Sequence, residues 1–134
     1  MEPIAPITGG CLCGGVRYEI GVAPLQSTLC HCSMCRKATG GVLVPWVTVP
    51  VTALLIVKGD LRRYKSSAPA VRSFCPDCGT QITFWHEARA GEIDVTHGSL
   101  DDPDAFPPTL QIFAASRPKF MKGFDPALPS RDEY

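Results

Sequence analysis

Seven cysteines fall into three short groups whose spacing is typical of metal ligands. The groups are Cys11-Leu12-Cys13, Cys30-His31-Cys32-Ser33-Met34-Cys35 and Cys75-Pro76-Asp77-Cys78. An odd number of cysteines cannot pair completely as disulfides, and clustered thiols in a reducing compartment indicate metal binding or catalysis. We therefore expect these thiols to hold metal.

The third group has the form of a zinc knuckle. Its two cysteines flank a tight turn, which can place both thiolates on the same side of one tetrahedral zinc ion. Pro76 presets the turn, and Gly79 permits a left-handed backbone that points amides at the sulfurs. A redox dithiol is the alternative, but that motif normally opens a helix in an α/β fold. A knuckle supplies two ligands, so it needs a partner pair.

Cys11 and Cys13 fit the role of that partner pair. Residues i and i+2 of a strand face the same way, so both thiols can reach one ion. The alternative is two ordinary buried thiols, because free cysteine is commonly buried. The presence of matching doublets elsewhere in the chain favours zinc.

The second group has three thiols, Cys30, Cys32 and Cys35, within six residues. Three protein ligands and an open fourth position are the pattern of a catalytic zinc, whereas four protein ligands mark a structural one. Seven cysteines thus divide into four plus three, although spacing alone does not assign the doublets. His31 is an alternative fourth ligand, but on a strand its side chain points away from its two neighbours. Packing or surface exposure is therefore favoured for His31.

Basic residues near these groups are candidates to offset thiolate charge or to bind an anionic substrate. They are Arg36, Lys37 and Arg72, but ordinary solvated charge is the favoured interpretation for each of them taken singly. His86 and His97 do not stand in ligand spacing with a cysteine, so we expect structural roles for both.

The elements that must position these thiols are short strands separated by turns. Strands are predicted over 8–11, 15–20, 26–30, 42–49, 54–57, 61–64, 71–75, 80–85, 92–97 and 110–114. One helical turn is predicted over 33–38, ended by Gly40-Gly41. No window shows a strong helical period, so the chain is predicted to be mostly β.

Composition narrows the class of protein. The chain has 134 residues and a formal net charge of zero, with 19% charged residues. A length of this size suits one domain, and a neutral chain lacks the basic excess typical of binding to nucleic acid or acidic membranes. The apolar stretch over 41–57 is interrupted by Pro45 and Pro50, and the first ten residues do not resemble a signal peptide. We expect a cytoplasmic protein without nucleic-acid or membrane partners.

Three ordered motifs together resemble the glutathione-dependent formaldehyde-activating enzyme family, which includes the centromere protein V group. The motifs are GGCLCGGVRYE from Gly9, CHCSMCRKATG from Cys30 and SSAPAVRSFCPDCGT from Ser66. The resemblance runs from Gly9 to about Leu100, and it is much more specific than any single motif.

The resemblance implies a β-tent fold, in which antiparallel sheets splay around a zinc ion. It implies one domain over residues 1–134, for which we expect loosely held ends at 1–7 and 121–134. It assigns Cys11, Cys13, Cys75 and Cys78 to a structural zinc, and Cys30, Cys32 and Cys35 to the catalytic site.

The implied activity is that of a zinc-dependent carbon–sulfur lyase. Such an enzyme adds glutathione or another small thiol to formaldehyde or another aldehyde, or reverses the addition. The alternative is a zinc-stabilised module for protein interaction or thiol sensing, without catalysis.

Overall fold

Within residues 2, 4–122, 129, 131 and 132, which the computed structural model describes, ten short strands form two sheets. The smaller sheet has the order β1 (Ile7–Gly10), β2 (Arg17–Ile20), β5 (Leu54–Lys58). The larger sheet has the order β10 (Leu110–Ile112), β3 (Gln26–Cys30), β4 (Val44–Pro50), β9 (Glu92–Thr96), β8 (Gln81–His86), β7 (Ala70–Phe74), β6 (Arg62–Ser67). Helix α1 spans Ser33–Thr39 and helix α2 spans Lys119–Lys122.

This architecture confirms the prediction of a mostly β, single domain. The sheets are antiparallel except that β10 pairs with β3 in parallel, so the larger sheet is mixed. Short 3₁₀ turns lie at Val51–Ala53, Glu87–Arg89, His97–Ser99 and Ala114–Ser116, where the sequence showed no helical period. No helix among the described residues is long and apolar enough to cross a membrane.

The two ends of the chain were expected to be loosely held. At the first end, Ile7 already begins β1, and the backbone N–H of Ile4 donates to the carbonyl of Gly21 at 3.1 Å. Residues 1 and 3 lie outside the described residues, as do 123–128, 130, 133 and 134 at the other end. The prediction of loose ends therefore remains a prediction.

The main core lies between the two sheets. Val47 and Val49 on β4 are fully buried, as are Tyr18 and Ile20 on β2. Because side chains alternate along a strand, Trp46 and Thr48 of β4 point to the opposite face of the larger sheet. The larger sheet thus has one face for the core and a second face for other contacts.

That second face carries a smaller cluster formed by Cys30, Cys35, Val44 and Trp46, to which α1 contributes Cys35. Gly40 ends α1 in a left-handed conformation (φ 79°), and its N–H donates to the carbonyl of Arg36 at 2.8 Å. The predicted helix end is confirmed. Helix α1 lies against β3, which precedes it in the chain, and against β4, which follows it.

A row of directly paired residues crosses this second face through six strands. From β6 to β3 the row is Tyr64, Arg72, Phe84, Asp94, Thr48 and Gln26. Paired residues on neighbouring strands point to the same side. The register therefore brings residues far apart in sequence onto one surface.

Two turns meet beside the first cysteine pair. Gly59 follows β5 with a φ of 74°, and a Cβ atom built on it would collide with the backbone carbonyl of Gly15. Because Gly15 lies two residues after Cys13, this contact fixes the loop that carries the pair. A side chain at position 59 would force two backbones apart.

We predict that Gly59→Ala destabilises the fold by roughly 2–4 kcal/mol, from the left-handed conformation and the backbone displacement together. Urea denaturation measures this loss. Gly91→Ala is the matched control, because Gly91 has an ordinary φ and open space around its Cα. Its expected effect is within about 0.5 kcal/mol. Equal losses in the two variants would contradict the role assigned to the Gly59–Gly15 contact.

Candidate metal centre and thiol cavity

Four cysteines converge at one end of the main core. The Sγ atoms of Cys11, Cys13, Cys75 and Cys78 all lie within 4.8 Å of one another. The first two follow β1, and the last two lie in the turn between β7 and β8. The loop after β1 and the β7–β8 hairpin are thereby joined through their sulfurs.

Backbone groups orient these thiols. The N–H of Val16 donates to Cys11 Sγ at 3.2 Å, and the N–H of Gly15 donates to Cys13 Sγ at 3.4 Å. Gly79 has a φ of 80°, which confirms the left-handed backbone predicted for the knuckle. Such N–H···S contacts are the outer-shell hydrogen bonds that hold metal-bound thiolates in place.

The hydroxyl and the amide of Thr80 both contact Cys78. The hydroxyl oxygen lies 3.3 Å from Cys78 Sγ, and these hydrogen bonds lower the pKa of Cys78 to about 5. A thiol with a low pKa is readily present as the thiolate, which is the form that binds metal. Thr80 follows the knuckle directly but was not singled out from the sequence.

The four-sulfur cluster fits a zinc ion. A tetrahedral site with zinc–sulfur bonds of about 2.3 Å has sulfurs about 3.8 Å apart. The Cys11–Cys13 and Cys13–Cys75 sulfur distances are 3.5 and 3.8 Å. All seven cysteines are free thiols. The observed spacing is that of ligands around one ion and is too long for a disulfide.

The second cysteine group lies on the other face of the larger sheet. Cys30 ends β3, Cys35 lies in α1, and their sulfurs are 3.6 Å apart in a buried position. Cys32 is the N-cap residue of α1 and is partly exposed. Within the described residues, the sulfurs of Cys30, Cys32 and Cys35 do not all come within 4.8 Å of one another. The structure thus brings two of the three thiols together.

A buried arginine lies against this pair of thiols. Arg72 Nη2 donates to Cys35 Sγ at 3.6 Å, and the guanidinium carbon lies 4.6 Å from the centre of the Phe84 ring. Only 6% of Arg72 is exposed, so the favoured prediction of ordinary solvated charge is wrong for this residue. Its Nη1 atom is buried and has no hydrogen-bond partner among the described residues.

The proton is shared unequally within the thiol pair. The hydrogen bond from the Cys30 thiol and the contact with Arg72 together lower the pKa of Cys35 to about 6, although burial of the thiol acts in the opposite direction. The same contact raises the pKa of Cys30, which gains stability as the protonated donor. Near neutral pH, Cys35 is therefore the thiolate of the pair.

His31 points away from the thiols, as expected for a residue between two cysteines. It is buried, and its Nε2 atom lies 2.8 Å from Oε1 of Gln111 on β10. Because this amide oxygen is an acceptor, the imidazole donates here. His31 thus packs under β10, and nothing in its placement makes it a ligand beside Cys30 and Cys35.

The other two histidines make structural contacts, although His86 also lines a cavity beside the thiols, so its expected structural role remains a prediction. His97 is buried, with Nε2 2.6 Å from the carbonyl oxygen of Pro103. His86 Nδ1 accepts from the N–H of Ala88 at 3.0 Å, and the ring meets Phe84 edge-on.

A cavity of about 510 Å³ opens onto the thiol pair. We name it the thiol cavity; the residues that line it around the thiols include Cys30, Cys32, Met34, Cys35, Trp46, Arg72 and Phe84. A volume of this size is ordinary for a small-molecule site. Apolar rings and one buried cation surround the sulfurs, an environment that strengthens electrostatic contacts.

The far end of the thiol cavity is charged, which sequence reasoning missed. Asp94 is buried and accepts from the Thr48 hydroxyl at 2.6 Å and from Arg89 Nη2 at 2.8 Å. Arg89 also pairs with Glu92 at 3.2 Å. The sequence signal that could have revealed this charged end is Asp94, which stands between the apolar residues Ile93 and Val95 in the strand Glu92–Thr96.

Arg36 and Lys37, the other basic candidates, do not line the thiol cavity. Arg36 Nη1 donates to the carbonyl of Ser116 at 3.3 Å, and Lys37 is exposed on α1. Roles for these two residues as substrate contacts remain predictions.

The two sheets and the four-cysteine cluster define a small β-rich domain with a candidate metal site. Residues 6–116 match the family described as glutathione-dependent formaldehyde-activating enzyme, and the chain belongs to that family. The resemblance drawn from the three sequence motifs is thereby confirmed.

Known proteins similar to this chain include a curated relative and a solved structure. An uncharacterized lyase of Schizosaccharomyces pombe is 28% identical over 83 residues, which are 57% of this chain and 55% of that protein. The match therefore spans little more than half of that relative. A solved structure of a Rhodobacter sphaeroides protein has a TM-score of 0.64 at 24% identity, covering 78% of this chain and 99% of that one. This likeness shows a common fold.

We predict that Cys78→Ala unfolds or aggregates the protein and removes its structural metal. Structural zinc contributes about 10–16 kcal/mol in small zinc domains, as much as the whole stability of a typical domain. Metal analysis and thermal unfolding test this. Asp77→Ala is the matched control, because Asp77 is an exposed knuckle residue that is not a ligand. Cooperative folding of Cys78→Ala with an unchanged zinc content would refute the structural role.

Proposed function

We propose that this protein catalyses the addition of glutathione or another small thiol to formaldehyde or another aldehyde, or the reverse, as a carbon–sulfur lyase. The observation that carries the proposal is the Cys30–Cys35 pair, with Arg72 against it, in the wall of the thiol cavity. Family membership supports the same substrates. The reduced thiols suit a reducing compartment, so we place the reaction in the cytoplasm.

The reaction itself is a simple nucleophilic addition. The thiolate sulfur of the substrate attacks the carbonyl carbon, and a carbon–sulfur bond forms. The π electrons of the carbonyl move to its oxygen, which then takes up a proton to give a hemithioacetal. In the reverse direction the carbon–sulfur bond breaks and both reactants are released.

The proposal includes two zinc ions per chain. One is held by Cys11, Cys13, Cys75 and Cys78, and the other by Cys30, Cys35 and Cys32 with an open coordination position. The 3.6 Å separation of the first two sulfurs of the second site fits a shared ion, and Cys32 would complete the set from the N-cap of α1. When bound there, zinc supplies a positive charge that lowers the pKa of a substrate thiol.

The chain's own residues have separate roles in this proposal. Arg72 offsets the negative charge of the thiolates, since three thiolates around a divalent ion leave one net negative charge. Trp46 and Phe84 exclude water from the sulfurs, because both rings line the thiol cavity. Holding a thiol beside a carbonyl in such a cavity supplies the proximity on which an addition reaction depends.

A second candidate function is a zinc-stabilised module for thiol sensing or protein interaction. The observation that favours it is the position of Cys32, whose sulfur does not lie within 4.8 Å of both Cys30 Sγ and Cys35 Sγ. A module without catalysis needs no open coordination position, so the two functions differ in their response to thiols.

We predict that Cys32→Ser stays folded but loses one zinc ion, glutathione binding and thiol-dependent activity. The structural site remains, so thermal unfolding should remain cooperative. Zinc analysis and glutathione calorimetry on wild-type protein and variant measure the loss, and a chelator should remove this zinc first. Ser33→Ala, at the next and exposed position of α1, serves as the control.

The outcome separates the two candidate functions. Equal glutathione binding by wild type and Cys32→Ser would overturn the zinc–thiol proposal. Two tightly held zinc ions without any response to thiols would instead support the module without catalysis.

A further inference from the structure

A second cavity lies on the other flank of α1 and has no role in the function proposed above. It has a volume of about 680 Å³. We name it the flank cavity; the residues that define it are Met34, Lys37, Tyr64, Arg72, Phe74 and Gln81. Its volume falls within the range of small-molecule sites.

The flank cavity has an apolar surface that no other described element covers. Tyr64 and Phe74 lie on the face of the sheet that carries Arg72, because Tyr64 pairs with Arg72 and Phe74 follows two residues later. Tyr64 is 61% exposed and Met34 is 57% exposed. Exposed apolar side chains that meet around a concave surface with a polar rim are typical of a ligand groove.

The charge of the flank cavity is positive. Lys37 and Arg72 line it, and none of the described residues in its wall is acidic. In addition, the Nε2 and Oε1 atoms of Gln81 are buried without a hydrogen-bond partner among the described residues. Because Arg72 already contacts the Cys35 thiolate, Lys37 is the cation in this wall that is exposed to a ligand. An apolar wall with an exposed cation and an unpaired amide suits a ligand that has an apolar body and a carboxylate.

Arg72 connects the flank cavity to the thiol pair. It lines both cavities, and its Nη2 atom contacts Cys35 Sγ. Met34 lines both cavities as well, so Arg72 and Met34 are the side chains between a molecule seated on Tyr64 and Phe74 and the candidate reaction site. Formaldehyde has only two non-hydrogen atoms and could not fill this space.

We propose that the flank cavity binds the body of the carbonyl substrate, an aldehyde that carries an apolar or aromatic group and a carboxylate. The proposal rests on the function proposed above and names the class of its second substrate. Tyr64, Phe74 and Met34 contact the apolar body, and Lys37 binds the carboxylate at the rim. The thiol adds to the carbonyl carbon as described above, with no other reactant.

The test uses phenylacetate, which has the required phenyl group and carboxylate but cannot react with thiols or lysine. Zinc-loaded protein titrated with phenylacetate should show saturable shifts in the NMR signals of Tyr64 and Phe74, which line the flank cavity but not the thiol cavity. Lys37→Ala should weaken binding about threefold to fivefold, the range of an exposed ion pair. The wild-type protein should bind the neutral analogue 2-phenylethanol more weakly than phenylacetate, by a similar factor.

Lys65→Ala is the matched control, because Lys65 is an exposed cation next to Tyr64 that does not line the flank cavity. Its affinity for phenylacetate should equal that of the wild type. Equal affinities of Lys37→Ala and Lys65→Ala, or the absence of saturable shifts in the wild type, would overturn the proposal.

Failure of this proposal is distinguishable from failure of the proposed function. Cys32→Ser should keep phenylacetate binding while it loses glutathione binding. Phenylacetate binding that depends on Lys37, without any glutathione response in wild type, would overturn the reaction but support the ligand site. Glutathione binding without phenylacetate binding would overturn the site alone.

Discussion

The convergence of four thiols at one end of the core is the constraint on which the rest of this structure depends. Cys11 and Cys75 belong to the main core cluster, so the candidate metal site and the hydrophobic core form one unit. The thiols tie the loop after β1, which belongs to the smaller sheet, to a hairpin of the larger sheet. Many strands here are only four or five residues long. A metal ion bound to the four thiols would therefore have a large effect on which arrangement of the two sheets is stable.

With one face of the larger sheet committed to the core, its second face is available for chemistry. The alternation along β4 separates Val47 and Val49 from Trp46 and Thr48. On the second face, Arg72 is buried between a thiol and an aromatic ring. Burial of a cation is costly unless an anion or a π system compensates for it, and here both are present. This compensation explains why α1 packs over Arg72 at the point where Cys35 supplies the sulfur.

Local patterns predicted local structure well. The knuckle turn at Cys75–Cys78, the strands predicted on both sides of it and the short helix ended by Gly40 all follow from residues within a few positions of one another. The four-cysteine set needed the family resemblance, because spacing alone did not assign the doublets. The sequence identified Cys30, Cys32 and Cys35 as one group. It did not predict that Cys32 would cap α1 in a partly exposed position, apart from the buried Cys30–Cys35 pair.

Contacts between distant residues could not be predicted from the sequence. Arg72 and Cys35 are 37 positions apart, and His31 and Gln111 are 80 apart. Their meeting depends on the register of neighbouring strands, and a shift of one residue would turn each side chain to the other face. For the same reason the charged end of the thiol cavity at Asp94 was missed, because its partners lie on β4 and in the turn after β8.

Because β10 is synthesised late, the two cysteine groups can reach their folded environments at different stages of synthesis. The last cysteine of the four-cysteine cluster is Cys78, and strand β10 lies more than thirty residues later in the sequence. In β10, the carbonyl of Ile112 accepts the N–H of His31, and Gln111 bonds to its imidazole. Because the ribosome delivers residues in order, a nascent chain can assemble the first cluster while the edge of β3 is still uncovered. Cys30, the last residue of β3, then lies at an unpaired strand edge until β10 is added.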